Sequence, residues 1–227
     1  MKILVTGGSG FIGINLISKM VSKGHSVHNL DNLSLFKKDF NKKSVKYKFN
    51  KVDIRNKNSL NEIINEFKPD KIVHLAAESH VDKSINAPDN FITTNVLGTY
   101  NLLQASLDFF NSPFVTKNFC FHHISTDEVY GSLKKNESSF NEDSKYKPNS
   151  PYSASKASSD HLVRAWQKTY NLPCVITSCT NNYGPYQHPE KFIPVVILSG
   201  ILKKSIPIYG KGNNIRDWIY VEDHVDA

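Results

Sequence analysis

Ile3-Leu4-Val5-Thr6-Gly7-Gly8-Ser9-Gly10-Phe11-Ile12-Gly13 decides the fold. Three apolar residues read as a strand, a glycine-rich turn follows, and an amphipathic helix runs from about Phe11 to Lys23. Glycines at 7, 10 and 13 divide the work of a dinucleotide turn. Gly7 allows the tight turn, Gly10 lets a pyrophosphate approach the backbone, and Gly13 lets the helix pack closely. The helix N-terminus then offers free N–H groups and a positive dipole end to the phosphates. A glycine triplet alone is weak evidence. Here a second strand, His25–Leu30, closes on Asp31, 18 residues beyond Gly13. An acid at that place binds ribose hydroxyls and repels a 2′-phosphate, which favours NAD over NADP. Lys37 and Lys38 are the competing 2′-phosphate candidates, opposed by Asp31.

Outward from this unit the pattern repeats. Strands are expected at Val45–Phe49, Lys71–Leu75, Phe119–Ile124 and Cys174–Ser178. Helices are expected at Ser59–Phe67, Asn90–Phe110 and Tyr152–Tyr170. Near-continuous apolar strands separated by helices require a parallel sheet covered on both faces. The fold class is therefore α/β, a doubly wound, mostly parallel sheet, with the beginning of a smaller C-terminal substrate-binding region. Residues 1–179 read as the dinucleotide-binding domain and 180–227 as the last elements of it plus the start of that region. Asp53 and Ile54, after the third strand, are candidate adenine contacts or merely a turn.

The 227 residues carry 28 Lys+Arg against 21 Asp+Glu, net +7, with 39% hydrophobic residues. That apolar fraction builds a core and excludes a disordered chain. Lys37 to Lys57 hold nine basic and two acidic residues, so the remainder is balanced, 19 against 19. Nucleic-acid binding through this stretch is disfavoured, because it lacks interleaved aromatics beyond Tyr47 and Phe49. Cys120, Cys174 and Cys179 form no metal or disulfide pattern and read as reduced thiols of a cytoplasmic protein. Phe192–Leu202 is apolar but far short of the ~20 residues of a membrane span, and reads as a buried helix. No metal site is expected: His122 and His123 are strand neighbours that point to opposite faces.

Tyr152 and Lys156 stand at i, i+4 on one helix, preceded by Pro151 at a position that suits a first helical turn. A phenol has an ordinary pKa of about 10 and becomes a base only beside positive charge. Chance alone supplies about one Tyr/Lys pair at this spacing, and Tyr47/Lys51 is such a match. What separates Tyr152 is the polar motif after the fifth strand, Ser125-Thr126-Asp127-Glu128-Val129-Tyr130-Gly131. An isolated Asp-Glu pair would read as a turn cap. Beside a glycine turn and a Tyr/Lys helix it reads as catalytic.

These stretches occur in one order along the chain, together with His74–Asp82, Asn181–Gln187 and Arg216-Asp217-Trp218. In that order they resemble the extended short-chain dehydrogenase/reductases of the nucleotide-sugar type, and within them the 4,6-dehydratases. The Asp127-Glu128 pair carries the second step of the resemblance, since related epimerases and decarboxylases typically lack it. The resemblance implies Thr126, Asp127, Glu128, Tyr152 and Lys156 as catalytic. It implies NAD held by Gly7, Gly10, Phe11, Ile12, Gly13, Asp31, Asn32, Leu33, Ser34, Asp53, Ile54, Leu75, Ala76, Ala77, Ser79, Thr94, Tyr152, Lys156 and Asn182. A nucleotide-diphosphate sugar would meet Ser79, Thr126, Asp127, Glu128, Asn181, Lys191, Phe192, Pro207, Ile208, Tyr209 and Arg216. dTDP-glucose is the implied substrate, UDP-glucose its nearest rival. An epimerase or decarboxylase, or a catalytically dead NAD-binding module, are the remaining alternatives. A homodimer through Asn90–Phe110 and Tyr152–Tyr170 is implied, with no nucleic-acid or membrane partner.

Overall fold

The computed structural model describes residues 1–35, 44–134, 136–206, 208 and 210–227. Strands β1 (Lys2–Thr6), β2 (Ser26–Asp31), β3 (Tyr47–Lys51), β4 (Lys71–His74), β5 (Cys120–Thr126) and β6 (Cys174–Cys179) form one parallel sheet. Their spatial order is β3-β2-β1-β4-β5-β6. Chain direction reverses its outward march between β1 and β4, and a crevice opens there at the carboxyl ends of the strands.

Side-chain alternation assigns the two faces. On β1, Ile3 and Val5 pack with Ile17 of α1 (Phe11–Ser22), whereas Leu4 joins the larger core on the other face. That core is built from α2 (Lys57–Phe67), α5 (Thr99–Phe110) and α6 (Pro151–Tyr170), with Leu60, Ile64, Leu102, Leu103, Phe121 and Val163 fully enclosed. Asn56 caps α2 by accepting from the Ser59 N–H, and Lys68 ends it in a left-handed conformation. The edge strand β3 carries Lys48 and Lys51, charges that discourage edge-to-edge pairing. Lys48 pairs with Glu66 at 2.8 Å, so part of the basic stretch is a solvated edge. Lys37, Lys38, Lys42 and Lys43 lie outside the described residues.

Two expectations need correcting, and one element is unexpected. The helix expected over 90–110 is two α-helical pieces, α4 (Pro88–Phe91) and α5, joined by a π-helical stretch, Ile92–Gly98. The wider turn presents Thr94 to the crevice while Asn95 is buried against the Glu78 backbone. Such π segments often mark functional sites. Second, α7 (Phe192–Ile201) forms as expected but is not buried: Phe192 is 61% and Ile201 72% exposed. Apolar composition predicted a helix, but burial needs a covering element, and among the described residues only Trp218 stacks on Phe192. The unexpected element, a short α3 (Val81–Asn86), follows the β4 loop, a segment with too little apolar periodicity to read.

The second sheet is small: β7 (Asn181–Tyr183) pairs in parallel with β8 (Trp218–Tyr220), and α8 (Val221–Asp226) follows. α8 docks on α1 through an ion pair between Lys19 and Asp226. No described helix is long and apolar enough to cross a membrane.

Candidate active site

The glycine turn closes on backbone bonds. Gly7 N–H donates to Leu30 O, Gly10 N–H to Gly7 O, and Ile14 N–H to Gly10 O. Gly7 has φ +73°, and a Cβ there would lie 2.5 Å from the Ala76 nitrogen. A Cβ on Gly13 would lie 2.5 Å from Gly7 O, so Gly13 lets α1 close on the turn itself. Gly10 has only Gly7 O near its missing Cβ, at 3.2 Å, and faces open space. The N-cap Gly10 supplies no side-chain cap to α1, which leaves the first-turn N–H groups for a ligand's phosphate. These features fit a dinucleotide. Gly7→Ala should therefore weaken NAD binding by about 5- to 150-fold, since strain and backbone clash together cost about 1–3 kcal/mol. Titration with NAD measures it; native affinity would contradict the assignment.

Asp31 Oδ2 accepts from Ser9 N–H at 3.0 Å and its Oδ1 from Leu33 N–H at 2.7 Å. The carboxylate thus ties β2 to the glycine turn while facing the crevice. Asp53 behaves differently. Its oxygens take Arg55 at 2.7 and 2.9 Å and Asn32 at 3.3 Å, and the Arg55 guanidinium holds it down at about 2. It caps a turn and does not line the crevice.

The crevice, about 420 Å³, brings together Gly7, Gly10, Phe11, Ile12, Gly13, Asp31, Asn32, Ser34, Ile54, Leu75, Ala76, Ala77, Ser79, Thr94 and Asn182 on the cofactor side. Thr126, Glu128, Tyr152, Lys156, Asn181, Lys191 and Phe192 line its other end. Leu33, Asp53, Asp127, Ile208 and Arg216 are not part of the lining. Ile208 points to solvent, 74% exposed, and Arg216 is exposed with its Nη1 on Ile215 O. Pro207 and Tyr209 lie outside the described residues.

A capping box starts the catalytic helix: Ser150 Oγ accepts from Ser153 N–H, and Ser153 Oγ accepts from Ser150 N–H. With Pro151 it sets Tyr152 in the first turn and Lys156 one turn on, at the end of β5. Lys156 is buried, and its Nζ donates to Ile124 O at 2.7 Å. Burial pulls this ammonium down to about 8, against the pull of Asp160. Burial pushes the Tyr152 phenol up, and the negative charge of Glu128 adds to that; its hydrogen bond with Thr126 works the other way. Lys156 therefore does not activate the phenol unaided, because its charge is turned toward β5.

Thr126 ends β5. Its hydroxyl donates to Asp127 Oδ1 and accepts from Glu128 N–H, both at 3.3 Å, capping the single 3₁₀ turn Asp127–Tyr130. The pair is thus both a capped turn and part of the site. Both carboxyls are pushed up, each chiefly by burial. Glu128 is raised further by Asp127 and lowered by Arg216 and Lys191, so these two cations act on the site even where they do not line it. Lys191, at the N-terminus of α7, is lowered by burial, with Glu128 opposing.

Several site residues lay beyond single-residue reading. Gln187 and His188 line the crevice, and Gln187 Nε2 donates to Asn182 O at 2.9 Å. His224 holds Asn182 Oδ1 at 2.8 Å, and Asn15 Nδ2 reaches Pro185 O at 3.0 Å. Cys179 Sγ contacts Asn182 Nδ2 at 3.4 Å beside the same crevice. His224 and Asn15 come in by long-range pairing, 42 and 170 residues from their partners, whereas Gln187 and Cys179 meet Asn182 through a tight local bend that periodicity does not show. Among the described residues no three His, Cys, Asp or Glu side chains are set to hold a metal.

Comparison with known proteins agrees with this geometry. The family model described as GDP-mannose 4,6 dehydratase matches residues 4–227. The dTDP-glucose 4,6-dehydratase of Haemophilus influenzae is 50% identical, the match covering all of this chain and 69% of that protein. The crystal structure of dTDP-glucose 4,6-dehydratase from Bacillus anthracis, in complex with NAD, superposes with TM-score 0.86 at 41% identity, over 100% of this chain and 69% of that one. A UDP-glucose 4-epimerase from Thermotoga maritima, solved with UDP-glucose, has TM-score 0.88 at 29% identity, over 100% and 71%. Half of all positions shared with a 4,6-dehydratase, against under a third with an epimerase of the same shape, places the divergence in side chains and not in the backbone. The chain belongs to the nucleotide-sugar 4,6-dehydratase family, which includes the GDP-mannose and dTDP-glucose 4,6-dehydratases.

Proposed function

We propose that the chain is an NAD-dependent hydro-lyase that converts dTDP-glucose to dTDP-4-keto-6-deoxy-glucose. The observation that carries the reading is the Asp127-Glu128 turn, capped by Thr126, which sets Glu128 in the crevice lining beside Tyr152 and leaves Asp127 near enough for its charge to act on the Tyr152 phenol. The Gly7–Gly13 turn and Asp31 would hold NAD, which when bound would supply a reversible hydride acceptor beside C4 and C6 and positive charge beside the phenol. Tyr152 takes the 4-hydroxyl proton while Thr126 Oγ1 holds that hydroxyl. The resulting 4-ketone acidifies the C5–H bond; Glu128 takes that proton and gives one back to C5 when hydride reaches C6, so C5 ends with a hydrogen exchangeable with solvent. Asp127 gives its proton to the 6-hydroxyl, which leaves as water. Once Asp127 is protonated its push on Glu128 disappears, and Lys191 and Arg216 then favour the Glu128 carboxylate. One site thus holds an acid beside a base.

Lys191 and Arg216 suit the substrate diphosphate, Arg as a two-pronged donor. Ser79, Asn181 and Phe192 complete the sugar-nucleotide side, residues 1–179 forming the cofactor domain and 180–227 the start of the substrate region. The reading includes a cytoplasmic homodimer, consistent with exposed Ile92, Leu97 and Tyr100 along the first long helical segment. Sedimentation at micromolar concentration should give twice the 25.7 kDa chain mass; a monomer would remove that part.

The likeness to epimerase structures keeps 4-epimerisation as a second reading, which needs no acid to expel water. Incubation with NAD and dTDP-glucose, with UDP-glucose in parallel, separates them. Formation of a 4-keto-6-deoxy product from dTDP-glucose is expected. No such product from either sugar, or a C4 epimer instead, would remove the dehydratase reading.

A further inference from the structure

Behind the catalytic helix, two charged side chains converge on one enclosed imidazole nitrogen. His123 Nε2, on β5, lies 3.4 Å from Lys156 Nζ and 3.1 Å from Asp160 Oδ1. Lys156 and Asp160 are one turn apart on α6, so helix spacing sends both onto the same end of β5. Lys156 Nζ takes Ile124 O, while Asp160 Oδ2 accepts from Ser125 Oγ at 2.7 Å and Tyr146 Oη at 3.0 Å. His123 and Asp160 side chains are each 1% exposed. A carboxylate enclosed to that degree is expensive unless its charge serves a partner. Among the described residues Asp160 is the only carboxylate that bears on Lys156.

We propose that Asp160 is a positioning residue: its carboxylate, set against the same His123 nitrogen as Lys156, keeps Lys156 charged and aligned behind Tyr152, and so sets the alkaline limit of turnover. The proposal rests on the reading of Tyr152 and Lys156 as the proton-transfer pair.

The surroundings leave Asp160 as the controlling charge. Lys156 faces His123 and the Ile124 carbonyl from β5, Cys179 from β6, and Asp160 on its own helix. His123 stacks near His74 of β4, ring centroids 5.2 Å apart, and burial drives both imidazoles well below their ordinary range. Geometry fixes one proton of His74: Thr99 Oγ1 donates to Asn95 O, so it accepts from His74 Nε2–H, and Nδ1 meets the Thr6 hydroxyl. Neither histidine adds charge at neutral pH. Burial raises the Cys179 thiol, so it too is neutral there. Asp160 itself is met by Lys156, Ser125, Tyr146 and His161, and burial pushes it up against all four. The charged form of Lys156 is the active one, so its contribution is present below a pH of about 8 and lost as pH rises through it. Removing the Asp160 charge takes away the support and moves that loss to lower pH.

The test is the pH profile of kcat for Asp160→Asn, whose amide oxygen still accepts from Ser125 and Tyr146. The alkaline limb should move down by about one unit, so that near pH 9 the variant's activity relative to its own plateau falls roughly tenfold below native. Asp160→Glu should return the limb toward native. A folded Asp160→Asn enzyme with an unmoved limb overturns the proposal, whatever its plateau. Should that variant fail to fold, Asp160→Ser removes the same charge with a smaller polar side chain that still reaches the enclosed donors. It should move the limb in the same direction, and an unmoved limb there is equally contrary. Tyr152→Phe, assayed alongside, separates the levels. If it is inactive and the limb stays put, the role of Asp160 alone falls; near-native turnover removes the Tyr/Lys reading and this proposal with it.

Discussion

Tyr152→Phe should lower kcat by about 10³ to 10⁴, the upper range of what a positioned acid–base group supplies, while leaving fold and NAD affinity within a few-fold of native. The substitution deletes one oxygen and little else. The ring keeps its edge-on contact with Phe91, centroids 6.3 Å apart, and the helix keeps its Ser150/Ser153 box. What disappears is the only phenol among the described residues that line the crevice, at the position where Thr126 and the cofactor-binding side meet. The loss should fall on kcat with KM little changed, since this oxygen serves the proton transfer and contributes little to holding the diphosphate. Stopped-flow absorbance of NADH formation and steady-state product assays together measure it. A variant that keeps turnover within tenfold of native would mean another group takes the 4-hydroxyl proton.

Asp127→Asn and Glu128→Gln should fail at different steps, each with an overall loss of about 10² to 10³. An amide at 127 still accepts from Thr126 Oγ1 in place of the 3.3 Å contact but has no proton to give to a departing hydroxyl. C4 oxidation and exchange of the C5 hydrogen with solvent should therefore persist while water elimination stalls. Glu128→Gln removes the base, so C5 exchange should be lost together with elimination. The two carboxyls are both raised by burial, so direction alone does not assign them. Their neighbours do: Glu128 feels two cations, Arg216 and Lys191, whereas Asp127 feels Arg216 against Asp217. Monitoring NADH absorbance, solvent-deuterium uptake at C5 and product release in parallel separates the steps. Equal loss of all three in both variants would remove the division of roles.

Much of this architecture was legible because its signals are local. The strand–turn–helix from Ile3 through Gly13 is a contiguous run whose residues meet one another directly, and near-continuous apolar strands already call for a sheet covered on both faces. The Tyr152/Lys156 pair was legible as spacing, but spacing could not show that Lys156 turns to the Ile124 carbonyl. Helix α7 was legible as apolar, yet its exposure depends on what packs over it, which composition does not record. Asp53 reads as an adenine contact or merely a turn because of its place after a strand, and the grip of Arg55 on its carboxylate is a meeting that position alone does not record. The π-helical stretch depends on Asn95 finding the Glu78 backbone and Ser155, partners 17 and 60 residues distant. The His123–Asp160 contact is likewise a long-range meeting that β5 and α6 make only once the sheet has formed.

The central claim is that a hydrogen leaves C4 and returns, within the same site, to C6. Incubating the protein and NAD with dTDP-glucose deuterated at C4 tests it directly. Deuterium should appear at C6 of the 4-keto-6-deoxy product, with hydrogen from solvent at C5. Deuterium recovered at C4 of an epimerised sugar, or lost with no label at C6, would contradict it.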